Sequence, residues 1–341
     1  MKNSLGRRDI IKITAVAGAA LLGKSILDRV PAEGSLTALR DTRLMMGTLI
    51  HLTVLSEDAP NGRAAIEATF NEMERLITIF DHRHPNTPLT QLNQRGELSN
   101  PPTELFDILQ QSLDIYRITG GAFDVTVKPL MDLYQPSRPL PTQQAIARAL
   151  ELVGSEKLCI SSDRIAFSQS GMAITLDGIA KGYIVDKGVD TLRKWGFPNV
   201  FLEAGGDLMA KGLKDEGTEW KVGLQSPRES GGNLLATFRI HDRAIATSGD
   251  YIQYFSPDLL HHHILDPHRG LSPAELASVT IFSKRTALSD ALATGIMVMG
   301  VEKGMDLIES TPGLEGVLVT KDLVQIRSTG LPDQKKGLSA S

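Results

Sequence analysis

Cysteine is nearly absent from this chain: Cys159 is the only one in 341 residues. A single thiol excludes an internal disulfide and any metal or redox centre built from several cysteines, and its place in the alternating stretch KLCISS predicts a small buried side chain. The glycine fingerprints of dinucleotide folds and P-loops, G-x-G-x-x-G and G-x-x-x-x-G-K-[ST], are missing too. No H-x-x-x-H pair lies on a predicted helix, which leaves the usual zinc arrangement without its ligands. The apolar run from Ile13 to Gly23 is too short to cross a bilayer comfortably.

With 41% hydrophobic and 22% charged residues, the chain has the composition of a soluble globular protein with a real core. The opening MKNSLGRRDIIKITAVAGAALLG has a basic start and a short apolar run, and Arg7-Arg8 followed by Asp9 and Ile10 fits an export signal of the twin-arginine type. Cleavage is expected after Ala32 or Ala38, with an uncleaved anchor as the alternative, and the mature protein is expected in the periplasm. Residues 1–32 hold six basic and two acidic residues, a net of +4; the whole chain carries −4, so the remainder stands at −8. A chain of that sign is not a nucleic-acid binder.

The pattern from Met46 (MGTLIHLTVLSE) alternates as a half-buried strand. Residues 63–81 then show helical apolar spacing at Ile66, Phe70, Met73, Leu76, Ile77 and Phe80. Residues 82–102 read as loop, and 103–121 as a helix with Thr103 as N-cap and Gly120-Gly121 as its stop. A short helix at about 141–153, a hairpin within 157–177 and a helix over 179–195 follow. Strands are predicted at 199–203, 220–225, 235–240, 243–247 and 277–283, helices at 286–300 and 302–310, and a strand pair near 316–327. No repeat or composition shift interrupts 40–330, so a single α+β domain is expected there, with residues 331–341 as a mobile tail.

Four glycine-bearing segments, at 120–130, 174–188, 203–212 and 246–255, place backbone N–H groups where a ligand can approach. In DGIAKGYIVDKG, Gly178 precedes a helix whose first turn holds Lys181, a combination suited to an anion such as a diphosphate. Asp290 and Thr294 lie four apart on an apolar helix and so share a face. That carboxylate is either satisfied by a core hydrogen bond or holds a hard cation such as Mg²⁺. In 261-HHHILDPHRG-270 an extended backbone points His261 and His263 one way and His262 the other, so the three cannot share one metal. A general base or ligand-positioning histidine before the Asp266-Pro267 turn fits better.

In order, MGT (46–48), GGAFDVTVKPL, LDGIAKGYIVD, EAGGDL, ATSGDY, HHILDPHRG and SDALATG resemble the ApbE family of FAD:protein FMN transferases, from about residue 43 to 328. The resemblance implies an α+β, T-fold-related domain of mixed or antiparallel sheets packed with helices. It implies Mg²⁺-dependent transfer of FMN from FAD to a Thr or Ser hydroxyl of an exported or membrane redox protein, with release of AMP. By position it implies Gly178 (backbone), Asp290 and Thr294 at the metal, and Met46, Ala122, Phe123, Asp124, Thr175, Lys181 and the backbone of Ile264 at FAD. It makes His263, Lys181 and Asp290 the catalytic residues, His263 as base or orienting group for the acceptor hydroxyl.

Three positions depart from the family pattern: Arg83 where a Tyr near the isoalloxazine is common, Thr175 where Asp is common, and Arg269 where Thr is usual. Two other readings remain open on the sequence, an FAD pyrophosphatase that gives FMN and AMP and a non-catalytic FAD-binding or delivery protein.

Overall fold

The computed structural model describes residues 36–134, 139–214, 217–228 and 234–331. The expected export signal over 1–32, and all but Leu331 of the expected tail at 331–341, lie outside the described residues.

The centre is an eight-stranded sheet of β1 (Thr37–Met45), β2 (Thr48–Ser56), β6 (Val200–Ala204), β7 (Asp207–Lys211), β10 (Arg243–Gly249), β11 (Leu276–Ser283), β12 (Glu315–Thr320) and β13 (Gln325–Arg327) in that spatial order. Every neighbouring pair is antiparallel. One face carries Ile50, Leu52, Leu202, Met209, Val279 and Ile281 into the main core, against helices α1 (Ala59–Phe80), α6 (Ala180–Lys194) and α7 (Thr286–Met299). The other face, with Phe201, Leu208, Ile245 and Phe282, is covered by the hairpin β8 (Trp220–Gln225) and β9 (Leu234–Ile240). Phe201 and Trp220 stack there at 5.3 Å between ring centroids. Both faces are covered, so the central strands read as nearly continuous apolar runs.

Helix α1 forms because Asp58 accepts the Asn61 amide at 3.0 Å, Pro60 stands in the first turn, and Ile66, Phe70, Met73, Leu76 and Phe80 make one buried stripe. A fully buried side chain such as Phe70 contributes about 1.5–3 kcal/mol relative to exposure. Helices α3 (Thr103–Ile118), α5 (Gln143–Leu150) and α8 (Val301–Ser310) fall close to the predicted positions. A small sheet of β3 (Glu97–Ser99), β5 (Arg164–Phe167) and β4 (Leu158–Ile160) packs beside α2 (Pro88–Arg95) and α3. The one-turn helix α4 (Lys128–Met131) and α5 form a separate apolar cluster around Leu130, Tyr134 and Ile146.

Several expectations are corrected. Residues 82–102 are not all loop: Thr87 caps α2, Leu89 and Leu92 are buried, and Gly96 ends the helix in the left-handed region, so two leucines suffice once both ends are capped. Thr103 is the first residue of α3 and not its cap, because Pro102 occupies the cap position without a side-chain bond. Strands β1 and β7 were not anticipated; the polar residues of β1 mark an edge strand exposed on one side, and β7 is a five-residue return after a glycine turn. Cys159 is exposed, since the short outer strand β4 turns its side chain away from the core.

Candidate active site

The chemistry-bearing segments meet at one end of the large sheet. Two tight turns close that end. Met46 (φ 52°) and Gly47 (φ 73°) join β1 to β2, with Met45 opposite Thr48. Gly205 (φ 57°) and Gly206 (φ 100°) join β6 to β7, with Ala204 opposite Asp207. Two-residue turns with positive φ match the strand twist, and they bring Met46 and the EAGGD segment side by side. A Cβ on Gly205 would lie 2.6 Å from Thr48 Oγ1, so only glycine permits this approach.

Behind the turns, the first turn of α6 carries Lys181, whose Nζ lies 3.1 Å from Asp207 Oδ2 and donates to the Gly205 carbonyl at 3.3 Å. Burial would lower the pKa of this ammonium, but the carboxylates of Asp207, Asp290 and Glu203 raise it above its ordinary value, so Lys181 stays charged. Asp290 projects from α7, buried, and its Oδ2 accepts the Gly182 amide at 3.0 Å. Burial first, and then the neighbouring Asp207, push its pKa well above the usual carboxylate range. Asp207 and Glu203 are also raised by burial, Glu203 to about 7.

One turn along α7, Thr294 Oγ1 is 3.0 Å from Ser248 Oγ at the end of β10. A Cβ on Gly178 would sit 3.3 Å from that threonine oxygen and 3.2 Å from Phe123 Cε2. Gly178, Thr294 and Phe123 are thus in contact. Among the described residues no cluster of three or more His, Cys, Asp or Glu side chains forms a metal site. A cation held here would take one carboxylate, one hydroxyl and backbone oxygen, which suits a hard, oxygen-seeking ion and not zinc. The buried acids outnumber the single lysine, so the cluster has the excess negative charge that a divalent ion would neutralise.

His263 faces the same group of charges. Its Nδ1 lies 3.0 Å from the Gln253 carbonyl, so Nδ1 carries the proton and the neutral ring presents Nε2 as acceptor. Burial lowers its pKa, with the charges of Lys181 acting the same way and those of Asp177 and Asp250 opposing. His262 is fully buried, with Nε2 donating to the Pro273 carbonyl at 3.1 Å and a pKa lowered by burial to about 4. In burial the run alternates, with His262 buried between the partly exposed His261 and His263, and the Asp266 carbonyl closes the following turn by accepting the Gly270 amide at 2.7 Å.

Other expected residues have structural partners. The Asp124 carboxylate accepts Thr126 N (2.8 Å), Thr126 Oγ1 (2.6 Å), Ser155 Oγ (2.6 Å) and Ser155 N (3.1 Å), which ties the 120–130 segment to residue 155. Thr175 is buried, with its hydroxyl accepting the Asp177 amide at 3.2 Å. Ala122, Phe123 and Ile264 are buried around the same end of the sheet. The Gly206 amide, expected to be free for a ligand, is taken by Glu203 Oε1 at 2.7 Å.

Sequence reasoning missed Asp177, Asp207, Glu203 and Asp250. Asp207 and Glu203 stand inside EAGGD, and one carboxylate on each side of a glycine turn was the available signal. Asp177 accepts from Arg83 Nη2 at 3.0 Å, so one of the positions that depart from the family pattern is tied to the segment that carries Gly178. Asp250 is fully buried between Arg228 (2.6 Å) and Lys321 (2.6 Å).

The ApbE family model matches residues 46–318. The FAD:protein FMN transferase of Vibrio cholerae is 31% identical over 279 residues, spanning 78% of this chain and 82% of that protein. The one from Treponema pallidum is 27% identical over 320 residues, spanning 87% and 88%. Among solved structures, the flavin transferase ApbE from Vibrio cholerae superposes with a TM-score of 0.76 at 27% identity, covering 86% of this chain and 98% of that one. The ApbE protein from Thermotoga maritima gives 0.77 at 28%, covering 86% and 97%. A family match over most of the chain and a shared fold place this chain in the ApbE family.

Proposed function

We propose that this chain is an FAD:protein FMN transferase that moves FMN from FAD to a Thr or Ser hydroxyl of a redox protein, releasing AMP. The observation that carries the reading is the convergence of Lys181, Asp290, Thr294, Gly178 and His263 at the end of one sheet in an ApbE-family chain. Met46, Ala122, Phe123 and Ile264 line the approach where the flavin nucleotide would lie, and the backbone at Asp124 and Thr175 supports it.

Asp290, Thr294 and the Gly178 carbonyl would hold Mg²⁺, which when bound supplies positive charge to the diphosphate. Lys181 adds a second cation, oriented by Asp207 and the Gly205 carbonyl. His263 Nε2 takes the proton of the acceptor hydroxyl as its oxygen bonds to the FMN phosphorus. The bond from that phosphorus to the bridging oxygen breaks, and AMP leaves with the electron pair. Loss of one such electrostatic contact costs on the order of 3 kcal/mol in the barrier, or roughly a hundredfold in rate.

The mature protein acts in the periplasm after export by the twin-arginine route, where exported and membrane-bound redox partners would present the acceptor hydroxyl. The reading is tested by incubating the purified protein with FAD, Mg²⁺ and an acceptor domain while following AMP and the intact mass of the acceptor. Gain of FMN by the acceptor as AMP appears supports it. AMP without modified acceptor indicates hydrolysis of FAD, and neither product leaves an FAD-binding protein.

A further inference from the structure

Glu203 is a buried acid that the reaction above does not use. It sits on β6 opposite His51 of β2, on the sheet face away from Lys181. Only 1% of the residue is exposed, an expensive place for a carboxylate without a purpose in the fold or the site. Its Oε1 accepts the Gly206 amide at 2.7 Å, and the Gly205 amide also favours its ionised form. Those two glycines are the turn whose carbonyl, at Gly205, receives Lys181 Nζ. Asp207, the next residue, provides the other acceptor for the same ammonium.

Glycine turns are soft. Gly205 and Gly206 both stand at positive φ, with access to conformations that other residues lack, so the carbonyl of Gly205 is fixed only if something holds the turn. The β-ladder holds its two ends, at Ala204 and Asp207. The Glu203 carboxylate holds its middle. A charge-assisted bond from a buried carboxylate to a backbone amide is among the stronger restraints available.

We propose that Glu203 is a positioning residue for FMN transfer: it clamps the Gly205–Gly206 turn, and the turn in turn fixes the Lys181 ammonium against the diphosphate. The inference rests on the reading of Lys181 given above. His51, with Nε2 at 4.0 Å, faces Glu203 together with the two glycine amides, while the charges of Lys181 and Asp207 act on it from the other face of the sheet. Its ionised form accepts the Gly206 amide more strongly and is favoured by the Gly205 amide, so the clamp tightens as Glu203 loses its proton. Burial places that step near neutral pH, at about 7. The half-exposed His51 opposite it, hydrogen-bonded through Nδ1 to Thr42 Oγ1 at 2.9 Å, gives the proton a route to solvent.

The test is a double-mutant cycle on the full chain with Glu203→Ala, Glu203→Gln and Lys181→Ala. It measures kcat and the KM for FAD in acceptor flavinylation from pH 5.5 to 9, with thermal melting to verify folding. Misplacing a catalytic cation by about 1 Å costs on the order of a hundredfold, so Glu203→Ala should lower kcat by ten- to a hundredfold. In the Lys181→Ala background it should change kcat little further. Glu203→Gln retains an acceptor for the Gly206 amide, stays folded, and should lose the wild-type rise in kcat near pH 7. Equal losses from Glu203→Ala with and without Lys181 would overturn the inference, as would a pH profile that Glu203→Gln leaves unchanged. Full activity of Lys181→Ala alone would instead overturn the role of Lys181, a separate failure.

Discussion

Asp290→Asn should make the metal-free protein more stable and catalytically dead. Asp290 is buried, and its neighbours include the carboxylate of Asp207, which acts on it in the same direction as burial; Lys181 is the cation nearby. Both effects raise its pKa well above the ordinary value of 3.8. A native state that binds a proton more tightly than the unfolded chain loses stability as pH rises through the interval between the two pKa values. At neutral pH, without a cation, the native protein therefore bears the cost of this charge.

Asparagine keeps an oxygen for the Gly182 amide, now 3.0 Å from Asp290 Oδ2, and removes the charge. We expect a gain of about 1–2 kcal/mol, the range typical when a functional residue is relieved of strain. At roughly 2–4 °C per kcal/mol this is a rise of several degrees in Tm in EDTA. The gain should shrink as pH falls toward 3.8 and vanish well below it, where the carboxyl of the wild type is protonated in both states. Mg²⁺ at a hundred times its Kd should stabilise the wild type by about 2.7 kcal/mol and leave the variant unmoved. Differential scanning calorimetry with and without Mg²⁺, beside a flavinylation assay, measures each term. A variant that melts below wild type in EDTA, or still shifts with Mg²⁺, refutes the assignment.

Removal of His263 by substitution with Ala should lower kcat roughly a hundredfold while the KM for FAD changes little, and wild-type activity should persist below pH 6.5 because burial lowers the pKa of this ring; full activity of the variant would remove its role as base. Gly205→Ala forces a Cβ to within 2.6 Å of Thr48 Oγ1 at a φ of 57°, so about 1–3 kcal/mol of stability should be lost in urea titrations. Phe70→Ala empties a fully buried ring site in the main core and should cost about 3–5 kcal/mol by the same measurement, with the Mg²⁺ response of the folded fraction retained.

Long periodic segments such as α1 and α7 were legible because each presents one dominant face or is apolar throughout. The collinear motifs singled out Lys181, Asp290, Thr294 and His263 through the resemblance to the ApbE family, and only Gly178 with Lys181 at a helix start, and Asp290 with Thr294 on one helix face, could be read locally. Edge strand β1 was hidden by its alternating polar residues, and α2 by its eight-residue length. The partners of the site residues were not legible for a different reason. Asp207 meets Lys181, and Arg83 meets Asp177 94 positions along the chain, only once the sheet and helices have packed. Asp124 illustrates the reverse case: the motif drew attention to the residue, yet four hydrogen bonds, two from Thr126 and two from Ser155, engage its carboxylate within the fold.

Helices α6 and α7 finish each other. Asp186 of α6 accepts the Thr286 amide at 2.7 Å and the Ala287 amide at 3.0 Å, supplying the N-terminal cap that α7 lacks, while Asp290 of α7 accepts the Gly182 amide in the first turn of α6. Gly182 has no room for a side chain, since a Cβ there would lie 2.5 Å from the Thr286 carbonyl oxygen. Neither helix start can fray alone, so the two form one cooperative unit that opens or closes together. Amide exchange at Gly182, Thr286 and Ala287 should accordingly slow in concert when a ligand engages Asp290, and the protein would sense occupancy of its site as a change in the unfolding of two helices at once.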